Sequence, residues 1–434
     1  MTITTITPRQ LIILIAVLSP ITVTGGPLPE PLTLEAALDT ATNPTHFELV
    51  AVDQRLEVVK AEMGIEQSNN DFSLDLTGRI REVGLSDEAF EGDESDDSAA
   101  SLILSKPLYD FGLQDSLENK LELQLKALEY QKRLVIERRR LQIMEKYFAV
   151  LNADNNFITE NEALAIGFIR YDNAVQDQEL DLVPEIEVLR LQSAYEVTRQ
   201  RRSLAMQQQR LTRAILAEAM GYPDQLSSDL EIPVIDTDRG LPDDLATLVD
   251  RALQFSLEAQ VVQANTQAAQ AGIGIAAATD NPSLGLELEA SSYQRESRLR
   301  DDWRASLYIE IPLYSSSPAE KINLAKAHYN QALANQQQLQ SHLRLEVLKL
   351  WQHIQQLRLE LLGRAIEQDY RDKYLDRSRA EYELEFKTDL GDSMVLYSRS
   401  NTEHLQSLYA FELAYQRLSA MVGADFLNQF ALSR

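Results

Sequence analysis

Few residues of this chain are placed to do covalent chemistry. Its five histidines, His46, His328, His342, His353 and His404, are scattered and form no ligand-spaced group. No Ser/His/Asp constellation can be argued from their spacing either. Gly272-Ile273-Gly274 sits inside a helical pattern with no third glycine and no preceding strand, so it is not a nucleotide loop. The absence of cysteine excludes disulfides, thiolate metal sites, cysteine nucleophiles and a lipidated cysteine. What remains is carboxylate. Asp389 and Asp392 stand three residues apart at the head of a helical segment, and Glu185 and Glu187 head an earlier one, close to Asp181. Positions three apart share a helix face, and grouped carboxylates attract cations, divalent ones above all. A solvated acidic helix start, which suits the helix dipole, is the plainer reading of the same residues. The chemistry on offer is electrostatic: no enzyme activity, cofactor or structural metal is expected.

Those carboxylates cap very long helices. From about Gly112 to Asp181, and again from Pro318 to Thr388, Gly and Pro almost vanish while Leu, Glu, Gln, Arg and Ala recur. Roughly 70 helical residues extend about 100 Å. Each long helix meets a turn, Asp181-Leu182-Val183-Pro184 or Thr388-Asp389-Leu390-Gly391, and is answered by a shorter helix running to Met220 or Val422. The net charge of −26 argues against a nucleic-acid partner. The run Glu137, Arg138, Arg139, Arg140 reads as a solvated helix face.

Other segments alternate with period two, the pattern of strands with one apolar face. Helix from Leu32 to about Asn69, interrupted near Asn43-Pro44, gives way to Phe72, Leu74 and Leu76. A loop with Asp87, Glu88, Glu91, Asp93, Glu94, Asp96 and Asp97 contains no Lys or Arg and is expected to face water, and a strand returns over Ala99 to Tyr109. In the second half, helix from about Asp244 to Thr279 leads through Asn281-Pro282 to Leu284, Leu286 and Leu288. A final strand places Trp303, Leu307, Ile309 and Ile311 on one face over 11 residues, the length of a tilted membrane-spanning strand with an aromatic at its end.

The chain therefore repeats itself. Pro107-Leu108-Tyr109 and Pro312-Leu313-Tyr314 end alternating strands 205 residues apart, and Tyr147 and Trp351 follow their prolines by 40 and 39 residues. Gly221 and Gly423 close the two halves. The expected organisation is a signal peptide over 1–26, from the apolar run Leu11 to Leu18 behind Arg9, and a first repeat over 27–222 with its hairpin at 72–109. A linker at 223–242 and a second repeat over 243–434, hairpin at 283–314, complete it. Strand-to-helix turns are expected at Pro107, Gly112 and Pro312. Four strands are too few to close a barrel, and lipid tolerates no open sheet edge, so a membrane reading requires several copies.

In order, spacing and duplication these features resemble the TolC family of outer-membrane efflux proteins. The residues that carry the resemblance are Leu32 to Leu38 with Asn43-Pro44, Asn281-Pro282, the paired Pro-Leu-Tyr turns and the terminal glycines. The resemblance implies a mainly α fold with β: duplicated long-helix hairpins forming an α-helical barrel, and four strands per chain contributing to a trimeric twelve-stranded transmembrane β-barrel. It implies an outer-membrane homotrimer, embedded in lipid, that works with a periplasmic adaptor and an inner-membrane transporter in efflux or type I secretion. By an ungapped count from Gly423 it implies that Asp389 and Asp392 narrow the periplasmic entrance; the first-repeat equivalent, counted from Gly221, is Glu187, with Glu185 and Asp181 nearby. The chain departs from the family after Tyr382 and Arg170-Tyr171, where a glycine is often found, and at Ser315-Ser316-Ser317-Pro318. A soluble periplasmic coiled-coil adaptor or scaffold is the alternative. The cargo is not written in the sequence, whose seven methionines are dispersed.

Overall fold

In the computed structural model the chain is described over residues 28–83, 95–225, 227–242, 244–294, 300–314, 317–384 and 389–427. The expected leader and most of the acidic loop lie outside these residues. In chain order the elements are α1 (Leu34–Asp39), a single 3-10 turn (Thr40–Thr42), α2 (Phe47–Asn69), β1 (Ser73–Arg79), β2 (Ala99–Tyr109), α3 (Leu113–Glu179) and α4 (Glu185–Met220). The second half follows with α5 (Leu245–Phe255), α6 (Leu257–Ala278), β3 (Ser283–Tyr293), β4 (Trp303–Glu310), α7 (Pro318–Glu383), α8 (Leu390–Val422) and α9 (Ala424–Leu427).

The long helices begin where the sequence permits. Gly112, left-handed at φ 96°, turns the chain out of the sheet into α3, a conformation that a side chain would resist. Pro318 opens α7 at a position whose N–H would be unpaired anyway. Two expected helices are broken. Leu32 to Asn69 becomes α1, a 3-10 turn and α2, because Asn43-Pro44 interrupts it and His46 starts a new helix by accepting from the Glu48 N–H. Asp244 to Thr279 splits at Ser256, whose buried hydroxyl caps α6 by accepting from the Ala259 N–H at 3.2 Å.

Six helices, α2, α3, α4, α6, α7 and α8, form a layer, with α1 packed against α3 and α5 against α7 and α8. Below, α3 carries α4 on one flank, through Asp154 to Arg213 at 2.6 Å, and α8 on the other, where Phe148 stacks on Tyr409 at 4.7 Å. Beyond α8 lies α7, joined through Ser378 and Ser393 at 2.9 Å. Above, the order is α2, α3, α6, α7, with Lys132 to Asp53 at 2.7 Å and Arg138 to Glu258 at 2.5 Å among the links. Thus α2 and α6 continue the flanks that α4 and α8 occupy below. A strap of linker crosses the layer, and the repeated aromatics hold it: the Tyr147 hydroxyl reaches the carbonyls of Leu32 and Glu231 at 2.7 and 2.6 Å, and Trp351 Nε1 donates to the Pro242 carbonyl at 3.3 Å.

Arg139 corrects the reading of its charge run. It is 2 % exposed, and its guanidinium donates to the carbonyls of Ala41 at 3.0 Å and of Thr40 and Ala219 at 3.4 Å. Ala41 and Ala219 lie in the last turns of the 3-10 helix and of α4, where carbonyls lack helical partners and a cation suits the dipole, while the Thr40 carbonyl also accepts from the Asn43 N–H at 3.0 Å. Asp97, expected in a water-facing loop, is also buried, paired with Arg81 and Arg300.

Arg139→Met should lower the unfolding free energy by about 3 kcal/mol, because it leaves buried carbonyls without donors. Arg140→Met, at an exposed position on the same helix, should cost under about 0.5 kcal/mol. Denaturant titration of the two variants checks the contrast, and equal losses would show that the Arg139 network contributes nothing special.

Candidate functional site: a two-faced sheet and an acidic helix tip

The four strands form one sheet in the order β1-β2-β3-β4, antiparallel throughout. Directly paired residues point to the same side, so the register defines two faces. Leu76, Leu102, Ala290 and Trp303 form one row across all four strands, and Leu74, Leu104, Leu288 and Ala305 the next. Leu286 with Leu307 and Leu284 with Ile309 extend the same side. The opposite side carries Thr77, Ser101 and Ser291 in one row and Asp75, Ile103, Glu289 and Arg304 in the next. On it Arg304 pairs with Glu289 at 2.8 Å, and the Ser101 and Ser291 hydroxyls meet at 2.8 Å. Lys106 is the charged exception on the apolar side, at the helical end of β2, where a long cationic side chain can reach toward water.

Trp303, Leu307, Ile309 and Ile311 are all well exposed in the single chain. The strand is shorter than expected, however, and Ile311 lies just past it. β4 stops at Glu310 because its partner β3 begins opposite, at Ser283. The Pro-Leu-Tyr segments accordingly differ: Pro107 lies within β2, beside an irregularity in its pairing with β3, whereas Pro312 follows β4 outside the sheet. The turn into α3 belongs to Asp110 and Gly112, where the Asp110 carboxylate accepts from the Gly112 and Gln114 N–H groups at 3.2 and 2.6 Å. Gly285 is crossed by the Tyr308 ring, and a Cβ there would stand 2.4 Å from it. All four helix connections leave the sheet at one end.

At the far end of the helices the carboxylates do not form a uniform group. Gly391 brings the start of α8 against α3: a Cβ at this position would lie 2.7 Å from Ile166 Cγ2. One turn along α3, Arg170 forms an ion pair with Asp392 at 2.8 Å. Asp389 occupies the position before α8 without capping it, and its carboxylate has no partner among the described residues. Glu185 and Glu187 occupy the first turn of α4, on the other flank of α3. Glu187 is held by Arg190 at 2.5 and 2.8 Å, which keeps its carboxyl below the usual range. Arg170 and Gly391 are neighbours of this segment that spacing alone does not single out; the sequence signals are only an Arg-Tyr pair before one turn and a glycine between two aspartates.

Above the tip, α8 is tied to α3 by Thr159 with Thr402 at 3.2 Å and by Ser398 to Glu162, and to α7 by Gln368 with Asn401 at 3.0 Å. Nearer its end it becomes apolar, burying Phe411, Tyr415, Leu418 and Val422. Among the described residues no helix is long and apolar enough to cross a membrane, and no group of three or more potential metal ligands is present.

No family model and no curated protein sequence matches the chain. Solved structures do. A membrane protein from Pseudomonas aeruginosa superimposes with a TM-score of 0.74 at 16% identity, covering 90% of both chains. CusC, described in terms of transmembrane channel formation, gives 0.73 at 17% identity over 90% of this chain and 92% of its own. The CmeC outer membrane channel of Campylobacter jejuni gives 0.71 at 16% identity over 92% and 87%. With its long helix hairpins and four-stranded antiparallel sheet, this chain has the fold of the TolC-type outer-membrane channels.

Proposed function

We propose that the chain is one protomer of a trimeric outer-membrane duct, a passive exit for substrates delivered by an inner-membrane transporter through a periplasmic adaptor. One observation carries the reading: a sheet with an apolar and a polar face and two unpaired edges continues a helical layer whose two outer flanks are also open. β1 and β4 each have one neighbour. On α4, Val197, Leu204 and Leu211 expose an apolar stripe at seven-residue spacing, and on α7, Leu345, Leu359, Leu362 and Ile366 expose another. Such spacing is that of a coiled-coil seam. Copies joined edge to edge satisfy strands and stripes together. Two copies would supply eight strands, a barrel that side chains fill; three supply twelve and leave a lumen. The apolar face then meets lipid, and the polar face lines water. A soluble scaffold would leave the apolar rows of the sheet in water, which disfavours that alternative.

Ile309→Arg should cost about 2 to 4 kcal/mol per chain and deplete the assembled trimer in outer-membrane fractions. Glu310→Arg, on the opposite face, should assemble normally. The reverse result would place the polar face against lipid and sink the topology.

At the entrance, Asp389 supplies the uncompensated charge, and Arg170 balances Asp392. In planar bilayers Asp389→Asn should weaken cation preference and block by added divalent ions, while Asp392→Asn should change both less. Arg170→Gln should strengthen the block by freeing Asp392. Wild-type selectivity in Asp389→Asn would reduce these residues to helix-start acids.

A further inference from the structure

The two halves meet the same packing problem and solve it differently. Alongside α3, α4 ends where α2 begins; alongside α7, α8 ends where α6 begins. Where one helix stops short of the next, the last carbonyls of the first have no helical donor and must find other partners. In the first repeat the gap is plugged. Arg139, eight residues before Tyr147, donates to the Ala219 carbonyl, two residues before the closing Gly221.

In the second repeat the residue eight before Trp351 is Leu343, and the one two before Gly423 is Met421. Leu343 is buried at the junction, the neighbouring Arg344 is exposed, and no side chain among the described residues donates to the Met421 carbonyl. A cavity of about 390 Å³ stands there, bounded by α3, the start of α6, α7 and the end of α8. Its apolar wall includes Leu134, Leu141, Leu343 and Leu350. Its two arginines are already committed, Arg138 to Glu258 at 2.5 Å and Arg417 to Glu145 at 2.9 Å. Glu137 has no ion-pair partner among the described residues, and Glu346 is approached by Lys349 only at 3.9 Å. The negative end of α8 and the positive end of α6 both border the cavity and offset one another, so its negative potential comes from these carboxylates.

We propose that this junction cavity binds an amphipathic organic cation, an apolar body bearing one positive charge, in the place that Arg139 fills in the first repeat. The size lies within the range of small-molecule sites, and the lining combines an apolar wall with a few placed charges, as such sites do. The lining comes from four helices, α3, α6, α7 and α8.

Isothermal titration of tetraphenylphosphonium into the full chain in a zwitterionic detergent tests it, with tetraphenylborate as the probe of similar shape and opposite charge. Saturable binding of the cation at one site per chain is expected, without a matching site for the anion. Leu343→Arg, which restores the first-repeat plug, should weaken binding at least about tenfold, whereas Leu343→Met should retain it. Glu137→Gln combined with Glu346→Gln, at positions that are not fully buried, should weaken it by a similar factor and tests the site even if Leu343→Arg misfolds. Absence of saturable cation binding, equal binding of the two probes, or wild-type affinity in a folded Leu343→Arg or in the double glutamine variant would overturn the proposal.

Discussion

The backbone hydrogen-bonding groups on the outer sides of β1 and β4 govern how this molecule can exist. Each strand inside the sheet has two neighbours, while the edge strands have one. In water an open edge invites association; in lipid it is untenable, because nothing there can satisfy an unpaired N–H or carbonyl. The apolar rows from Leu76 to Trp303 and from Leu74 to Ala305 point to lipid as the setting, so the edges call for other copies. The helical layer agrees with the sheet. Its exposed stripes on α4 and α7 lie on the two flanks that edge-to-edge assembly would bring together. In the proposed assembly both the strands and the helices are arcs of a ring.

Duplication supplies the scaffold, and divergence supplies whatever is specific. Tyr147 and Trp351 keep one job, donating to carbonyls of the strap that crosses the helical layer. The helix junctions beside them do not. Arg139 closes one with a buried guanidinium bound to three carbonyls, and Leu343 leaves the other lined by hydrocarbon and carboxylate. The carboxylates at the helix tips diverge in the same way. Glu187 is held within its own helix by Arg190, whereas Asp392 is held across a helix interface by Arg170, so only the second ties two elements together.

Along α8 the seam with its neighbours changes character. Near the tip it is joined by small hydroxyls and ion pairs, Ser393, Ser398, Thr402 and Asp392. Near its end it is joined by buried Phe411, Leu418 and Val422. Hydrogen bonds between hydroxyls contribute little net stability even where they are buried, as at Ser378–Ser393 and Thr159–Thr402, because folding only exchanges them for bonds to water. Apolar burial has no such substitute. The upper end of the helix is thus the more firmly anchored.

What the sequence alone determined was everything that depends on neighbours along the chain. The lengths of α3 and α7 follow from the near-absence of Gly and Pro inside them, the facing of β4 from strict alternation, and the helix starts from Gly112 and Pro318. Periodicity is local, so the sequence contains it in full. The tertiary structure decided whatever depends on which distant residue arrives nearby. Arg139 looked like one more solvated arginine until carbonyls 80 to 99 residues away closed around it. Asp389 and Asp392 looked like equivalents until Gly391 let α8 press onto α3 and Arg170 took one of them. Ile311 fell outside β4 because pairing, not alternation, ends a strand, and β3 offers no partner beyond Ser283. The energy of a charge or of an open hydrogen bond is set by its surroundings in space, and these the spacing of residues along the chain does not contain.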